Sequence, residues 1–294
     1  MALIPPEYLN AVVSIEVDQL INNKIEKISI ATGFLFGKLI STNSQTNESF
    51  YSIYLITNRH VFENRKTKEL LKSVFLRFNL SKNRGAKHYQ INLLENNKPI
   101  WIKHNNDIVD IAVIPLNGKK LRDEQIEFYF YKENQDIFLS KNFKNLGVST
   151  GDGIFVLGFP NGIRGKTKNY VIVKKGIIAR YDEELLKEAH FFIDSSAYPG
   201  NSGGPIIYKP ELVAIQNTKF ISRSALIGII SEGITFQEIA ISEQTGRPRI
   251  AFEEQTGIIK VVPIDFVIEA IDHYEKEKGV PKAKEKVGND QNFI

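Results

Sequence analysis

The sequence predicts an all-β protein whose strands form two successive series and which ends in an α-helix. Short runs rich in β-branched and aromatic residues follow one another through residues 11–116, without a convincing amphipathic helix between them. A second series of such runs occupies residues 153–262. Strands at this spacing are typical of antiparallel sandwiches or barrels. Apolar residues at 264, 267, 268 and 271 then repeat with the period of a helix.

The first strand series ends at a change in composition near residue 117. We expect about six strands, over residues 11–17, 28–39, 50–57, 72–79, 88–94 and 108–116, while residues 99–102 carry the only tryptophan. The polar stretch 41–49 predicts a hairpin tip, because Ser, Thr and Asn favour turns. Residues 117–150 are charged, carry an aromatic patch at 128–131 and show no clean period. They predict a long connection with short helical pieces.

The second strand series leads directly into the C-terminal helix. Its runs are residues 153–158, 169–179, 189–193, 205–208, 224–231 and 257–262. Pro263 opens the helical stripe, a position where the N–H that proline lacks is not needed. We therefore expect a helix over residues 263–278. Beyond Gly279 the chain is lysine-rich and polar, a composition that predicts disorder.

Composition excludes several classes of function. The net charge of +4 is mild, and no basic stripe is interleaved with aromatic residues, so nucleic-acid binding is not predicted. The 294 residues include no cysteine, which rules out disulfides, zinc–thiolate sites and a cysteine nucleophile. No signal peptide is visible, and no apolar run reaches the roughly 18 residues of a membrane span. We expect a cytoplasmic protein that does not bind membranes.

A glycine-rich stretch at residues 194–205 (DSSAYPGNSGGP) joins two predicted strands. Three glycines surround the hydroxyl group of Ser202, and glycine allows a backbone to turn sharply and to approach another molecule. Acyl transfer needs an exposed nucleophile and backbone N–H groups directed to one point, and such a turn supplies both. The alternative is an ordinary glycine-rich β-turn in which Ser202 merely caps a backbone group.

A serine hydroxyl needs a base, which is commonly an imidazole oriented by a carboxylate. His60 follows an apolar strand in the segment 55–61 (LITNRHV), although a structural histidine is the alternative. Asp110 lies in the apolar run 108–114, where a charge is costly unless it is hydrogen-bonded. The alternatives are an Asp110 that faces solvent on an edge strand, and Asp107, in a polar stretch, as the orienting carboxylate.

Three segments occur in the order His, Asp, Ser: residues 57–61 (TNRHV), 110–113 (DIAV) and 200–205 (GNSGGP). They resemble the three motifs of trypsin-like (chymotrypsin-fold) serine peptidases, and the likeness is closest to the bacterial branch that includes the Deg/HtrA proteases. Residues 151–162, 175–179 and 228–233 also resemble strands of the family's second barrel. The resemblance covers about residues 10–278.

The resemblance implies two perpendicular six-stranded antiparallel β-barrels with the site in the cleft between them. The first barrel would comprise residues 1–118 and the connection residues 119–150. The second barrel would comprise residues 151–262, followed by a helix at 263–279 and a disordered tail at 280–294. A serine endopeptidase that cleaves protein or peptide substrates is the implied activity.

The same resemblance assigns roles to individual residues. His60 would be the general base, Asp110 would fix its tautomer, and Ser202 would be the nucleophile. The backbone N–H groups of Gly200 and Ser202 would form the oxyanion hole. No metal and no cofactor are implied.

The resemblance also implies a substrate preference, through two further segments. Ser196 would lie at the base of the specificity pocket, which favours a neutral or apolar substrate residue. Residues 231–233 (Ser231, Glu232 and Gly233) would line the substrate, and residues 234–256 are a long insertion after them. Glu232 would either give some basic preference or point to solvent, and we favour the second.

Two departures from the family bear on regulation. Asn201 stands where trypsin-type zymogens carry the Asp that pairs with a new N-terminus, so activation by N-terminal cleavage is not expected. We expect no PDZ domain after the helix. We expect control by loop ordering or by a regulatory protein partner, as in an effector of a stress or defence system. The alternatives to a peptidase are an inactive protease-fold scaffold and an esterase with the same triad.

Overall fold

The computed structural model describes residues 3–196, 198–211 and 219–279. Its strands are β1 Val12–Ile21, β2 Lys24–Thr42, β3 Ser49–Thr57, β4 Ser73–Leu80, β5 Ala86–Asn92, β6 Leu94–Glu95, β7 Lys98–Pro99, β8 Ala112–Leu116, β9 Ile126–Glu127, β10 Tyr131–Lys132, β11 Gly153–Gly158, β12 Ile172–Arg180, β13 Phe191–Asp194, β14 Pro205–Tyr208, β15 Ala225–Ile241 and β16 Pro248–Pro263. Its helices are α1 Pro6–Leu9, α2 Gly118–Asp123, α3 Phe143–Leu146, α4 Glu183–Lys187 and α5 Ile264–Glu277.

The first half is a curled sheet with the strand order β5-β4-β1-β2-β3-β8. Short strands β9 and β10 add to β4 and β2. The resemblance implied a closed six-stranded barrel here, but among the described residues no ladder joins β5 to β8. The predicted strand 108–116 begins only at Ala112, because the residues before it form turns. Strand β8 is therefore shorter than predicted, and it forms one edge of an open half-barrel.

The second half is a closed barrel with the strand order β11-β12-β13-β16-β15-β14. β15 and β16 are much longer than the predicted runs 224–231 and 257–262. Their outer parts pair from Thr235–Gln255 to Ile241–Pro248 and form a two-stranded ribbon. The insertion at 234–256 is thus a β-ribbon that continues the strand containing Ser231, Glu232 and Gly233.

Three apolar cores hold the fold together, one inside each half and one between the halves. Phe34 and Phe36 of β2 face the core between the halves, whereas the intervening Leu35 faces the interior of the first sheet. This alternation follows from the two-residue period of a strand. Both faces of the central strands are therefore buried. The barrel interior contains a separate apolar cluster that includes Phe191 and Ile193.

Helix α5 closes the core between the halves. Ile264, Val267, Ala270 and Ile271 are buried on one face of α5, and Pro263 precedes its first residue. The prediction of an all-β fold with a C-terminal helix is confirmed. No helix in the described ranges has the length and apolar character needed to cross a bilayer. The predicted disordered tail at 280–294 lies outside the described residues.

Candidate active site

His60 lies in a single 3₁₀ turn, Arg59–Val61, that begins two residues after β3 ends. Asn58, the residue before this turn, is buried, and its side-chain N–H donates to the backbone oxygen of Asp110 at 2.8 Å. This bond ties the loop that carries His60 to the loop that carries Asp110, 50 residues further along the chain. A strand end therefore determines where His60 lies.

Asp110 holds His60 by both carboxylate oxygens. Oδ1 accepts from the His60 backbone N–H at 3.1 Å, and Oδ2 lies 2.5 Å from Nδ1 of the imidazole. A contact this short between a carboxylate and a ring nitrogen requires a proton on one of them. Because Asp110 is ionised, we assign that proton to Nδ1. In the neutral imidazole, Nε2 is then the nitrogen that can accept a proton.

Arg65 binds the Asp110 carboxylate in addition to His60. Its Nη2 donates to Oδ2 of Asp110 at 2.8 Å, while its Nη1 donates to Glu232 at 2.8 Å. Burial by itself raises the pKa of Asp110, but hydrogen bonds and the charges of His60 and Arg65 outweigh burial and lower it to about 2. Asp110 is therefore a carboxylate over the whole neutral range.

The turn that carries Ser202 requires glycine at two positions. Gly200 has φ +94° and Gly203 has φ +80°, values in the left-handed region. A side chain at Gly200 would collide with the carbonyl oxygen of Phe159, and one at Gly203 would collide with Thr57 and Thr32. The glycine spacing therefore reflects both backbone conformation and close contact with the first sheet.

Thr32 of β2 anchors the serine turn from the opposite half of the molecule. Its hydroxyl donates to the Gly200 oxygen at 2.7 Å and accepts from the Phe159 N–H at 3.1 Å. Its backbone N–H donates to the backbone carbonyl oxygen of Ser202 at 3.0 Å. Thr32 is completely buried. The position of Ser202 consequently depends on the packing of one half against the other.

The peptide between Pro199 and Gly200 has a defined orientation. The Pro199 oxygen accepts from the Asn161 N–H at 2.6 Å. In a trans peptide the N–H points opposite to the C=O, so the Gly200 N–H points away from Asn161. Among the described residues, neither the Gly200 N–H nor the Ser202 N–H donates to a protein acceptor. The two backbone N–H groups that the resemblance assigns to the oxyanion hole therefore have no acceptor among the described residues.

Ser202 and His60 line one open cavity of about 460 Å³. Within the described ranges no hydrogen bond joins the Ser202 hydroxyl to the imidazole of His60. The His60–Asp110 contact is formed, whereas the serine-to-histidine contact is not. Hydrogen bonds of this kind are often long in sites without substrate and shorten when the substrate is bound.

Three of the remaining predicted residues line this cavity, whereas the fourth, Ser196, does not. Ser231 points its hydroxyl toward Oδ2 of Asp110 at 3.5 Å, and Glu232 pairs with Arg65. Gly233 also lines the cavity, while Ser196 is exposed and its carbonyl oxygen accepts from the ammonium group of Lys174.

Asp107, the competing carboxylate, lies away from the imidazole. It is 74% exposed and pairs with Arg59 at 3.2 Å and with Lys103 at 3.0 Å. The structure therefore brings Asp110, and not Asp107, to His60. In the described part of the chain no cluster of three or more His, Asp or Glu side chains is arranged to hold a metal ion.

The trypsin-like peptidase domain family matches residues 31–215, which is more than half of the chain. The chain belongs to this family. The matched range contains His60, Asp110 and Ser202, so the trypsin-like domain includes all three positions. It ends before the ribbon formed by β15 and β16, and before α5.

Other comparisons are more distant. No curated protein matches the sequence. One similar solved structure is the MamO protease domain from Magnetospirillum magneticum in its apo form. It is 13% identical in sequence, the alignment covers 90% of this chain and 96% of that chain, and the TM-score is 0.44.

Sequence reasoning missed Thr32 and Arg65. Thr32 is a lone polar residue between Ala31 and Gly33 within a predicted strand, and that pattern is a weak signal of a buried hydrogen bond. Arg65 lies in a polar turn, where nothing local distinguishes it from other exposed arginines. Its contact with Asp110 joins two loops of the first half, and its contact with Glu232 of β15 joins the two halves.

Proposed function

We propose that this protein is a serine endopeptidase that uses His60, Asp110 and Ser202 and forms an acyl-enzyme intermediate. The observation that carries the proposal is the 2.5 Å contact between Asp110 and Nδ1 of His60, which leaves Nε2 free as a base. Membership in the trypsin-like peptidase family supports the same chemistry. Placement within the bacterial Deg/HtrA-like branch is part of the proposal.

In the proposed reaction, the hydroxyl oxygen (Oγ) of Ser202 attacks the carbonyl carbon of the scissile peptide bond while Nε2 of His60 takes the hydroxyl proton. The resulting oxyanion binds to the N–H groups of Gly200 and Ser202, and loss of one such donor typically costs about 3 kcal/mol. The C–N bond then breaks as His60 protonates the leaving amine. Water repeats these steps on the acyl-enzyme and releases the acid product.

The serine turn is held differently from that of an activated trypsin-type enzyme, in which the Asp before the serine pairs with the N-terminus that zymogen cleavage creates. Asn201 is uncharged and buried, so it forms no such ion pair. Thr32 binds the Gly200 oxygen instead. We therefore include in the proposal that activation does not require N-terminal cleavage.

A fluorophosphonate probe tests the proposal, because it reacts with an activated serine regardless of substrate preference. We expect an adduct on Ser202 in the native protein and none in Ser202→Ala, whose melting temperature stays within a few degrees of the native value. Intact-mass and peptide-mass measurements locate the adduct. Asn201→Ala serves as a second folded variant that keeps the nucleophile.

A second candidate is a non-catalytic binding protein with a protease fold. The absence of a described hydrogen bond between Ser202 and His60 favours it. If the folded native protein forms no adduct while denatured protein is also unlabelled, this second candidate replaces the peptidase.

A further inference from the structure

The ribbon formed by β15 and β16 continues the strand that borders the serine turn. Ile230 of β15 accepts from the Gly203 N–H at 3.1 Å, and its own N–H donates to the Gly204 oxygen at 3.0 Å. From there β15 runs past the cavity that contains Ser202 and ends only at Ile241. The resemblance assigns substrate contacts to the first three residues after Ile230, so the rest of this strand has no role in the function proposed above.

One edge of this long strand lacks a partner. β14 pairs with β15 only over Ala225–Ile229, and β16 occupies the opposite edge as far as Ile241. Among the described residues, no strand pairs with the first edge beyond the serine turn. An unpaired edge presents a row of backbone N–H and C=O groups to which another chain can bind. The edge that begins at the serine turn is therefore open to a further strand.

The hairpin at the tip of the ribbon shows which residues face the open edge. Ser242 donates its N–H to the Arg247 oxygen at 3.0 Å, so its backbone groups face β16. Successive residues of an antiparallel strand direct these groups to alternate edges. The pairing is regular from Thr235 to Ala240, and the extra residue that shifts the register beyond Ala240 belongs to β16. The N–H and C=O groups that face the open edge are therefore those of Gln237, Ile239 and Ile241.

The direction of β15 determines which part of a peptide this edge accepts. Both described neighbours of β15 are antiparallel to it, and antiparallel pairing is slightly the more stable per residue. Because β15 runs from the serine turn toward the tip of the ribbon, an antiparallel partner ends beside Ser202. The segment of a substrate that precedes the scissile bond ends there, since its last carbonyl group is the one that Ser202 attacks.

Exposed apolar side chains on β15 provide contacts for such a strand. Phe236, Ile239 and Ile241 are each more than half exposed. Cross-strand pairs of aromatic and β-branched residues stabilise a sheet. An added strand that is rich in these residue types would cover all three side chains, so the edge favours an extended segment of that composition.

We propose that the open edge of β15 over Thr235–Ile241 binds, as an added antiparallel strand, the extended segment that precedes the scissile bond of a peptide substrate. The inference rests on the proposed peptidase function for its biological meaning. It adds a requirement for a long segment rich in β-branched or aromatic residues, several residues away from the bond that is cleaved.

A tethered peptide tests this edge without requiring catalysis. The chain contains no cysteine, so Ser202→Cys provides a single attachment point. A decapeptide of alternating Thr and Val, with cysteamine on its C-terminal carboxyl group, is attached through a disulfide. A tripeptide of the same design is the short control, because it ends before the ribbon begins. The tether fixes which end of the peptide lies beside the serine turn.

Hydrogen exchange measured by NMR reports on the backbone groups of the edge. The amides of Gln237, Ile239 and Ile241 should exchange at least tenfold more slowly in the decapeptide conjugate than in the tripeptide conjugate. The amides of Glu238 and Ala240 face β16 and are the internal reference, whose exchange should be the same in both conjugates.

Proline variants assign the protection to one edge of the ribbon. Ile239→Pro removes an N–H group from the open edge, where proline is tolerated, and should abolish the protection of Gln237 and Ile241. Ala251→Pro is the matched control. Ala251 is paired with Ile239, so its backbone groups face the outer edge of β16, and the substitution should leave the protection unchanged.

N-methylated decapeptides test the same hydrogen bonds without changing the protein. Methyl groups are placed on one or the other set of alternate residues, and only the set that faces β15 should abolish the protection. This comparison decides the question even if Ile239→Pro disrupts the ribbon.

Equal exchange in the decapeptide and tripeptide conjugates would overturn the inference, as would protection that survives both sets of methyl groups. Protection that is present in the unconjugated protein and increases with protein concentration would assign the edge to a second copy of the chain instead. Disulfide capture does not use the triad, whereas fluorophosphonate labelling of native Ser202 does. A failure of this inference is therefore distinguishable from a failure of the peptidase proposal.

Discussion

Acidification should remove a definable part of the folding free energy that comes from Asp110. The pKa of this carboxyl is lowered from 3.8 to about 2 in the folded protein. This lowering corresponds to about 2 kcal/mol, at about 1.36 kcal/mol per pH unit. Asp110 is only 11% exposed, so solvent screening reduces this value little.

The direction of the effect follows from the lowered pKa. A carboxyl whose folded pKa lies below its unfolded pKa stabilises the fold above the unfolded value. That contribution is lost as the pH falls from about 4 through about 2. The physical cause is that burial disfavours the Asp110 carboxylate, while the hydrogen bonds and charges of His60 and Arg65 favour it more strongly.

Urea denaturation measures this contribution, with the fluorescence of Trp101 as the signal. Trp101 is the only tryptophan in the sequence and is buried. Ser202→Ala should be compared with Ser202→Ala/Asp110→Asn at several pH values between 5 and 2, because the first substitution prevents self-digestion. The stability difference between the two should shrink by about 2 kcal/mol over this range.

A matched control uses the exposed carboxylate. Asp107→Asn in the same background should leave the pH dependence close to that of Ser202→Ala, because Asp107 is 74% exposed. A difference for Asp110→Asn that stays constant from pH 5 to pH 2 would refute the reasoning. It would mean that His60 and Arg65 do not stabilise the Asp110 carboxylate in the folded protein.

Three further predictions follow from the site. Asp110→Asn should lower turnover by about 10⁴, since an amide in this position favours the wrong imidazole tautomer; a larger loss for Asp107→Asn in the same peptide assay would reassign the carboxylate. Gly203→Ala should lower the melting temperature strongly because of its φ of +80° and the collision with Thr57, and a thermal melt within two degrees of native would contradict this. Thr32→Val removes a donor to Gly200 and an acceptor for Phe159, so it should cost about 2 kcal/mol and slow Ser202 labelling; unchanged labelling would show that Thr32 does not hold the serine turn.

The local sequence pattern predicted the bounds of many strands closely. Residues 153–158 and 205–208 coincide with β11 and β14, because each is a compact apolar run bounded by glycine or proline. The strand prediction over 108–116 was less accurate, since residues 108–111 form a turn, a bend and irregular backbone before β8. In that run Ile108 is 72% exposed, while Val109 and Ile111 are buried between the two halves. An apolar composition therefore did not specify a strand there.

The insertion 234–256 shows a different limit of local pattern. It forms a ribbon whose strands pair over Thr235–Gln255 to Ile241–Pro248, and its large apolar side chains, such as Phe236 and Phe252, are exposed. Cross-strand pairing depends on which residues meet across the hairpin, and alternation of buried and exposed positions gives no signal where both faces are exposed.

The sequence by itself determined the β architecture, the C-terminal helix and the order of the His60, Asp110 and Ser202 motifs, because these depend on short-range periodicity and local turn chemistry. Tertiary structure decided how those motifs meet. The contact of His60 with Asp110 joins residues 50 apart, and that of Thr32 with the serine turn joins residues 168 apart. Arg65 acquires its two carboxylate partners in the same way. Such contacts are set by strand register and by the packing of one half on the other, which no local pattern encodes.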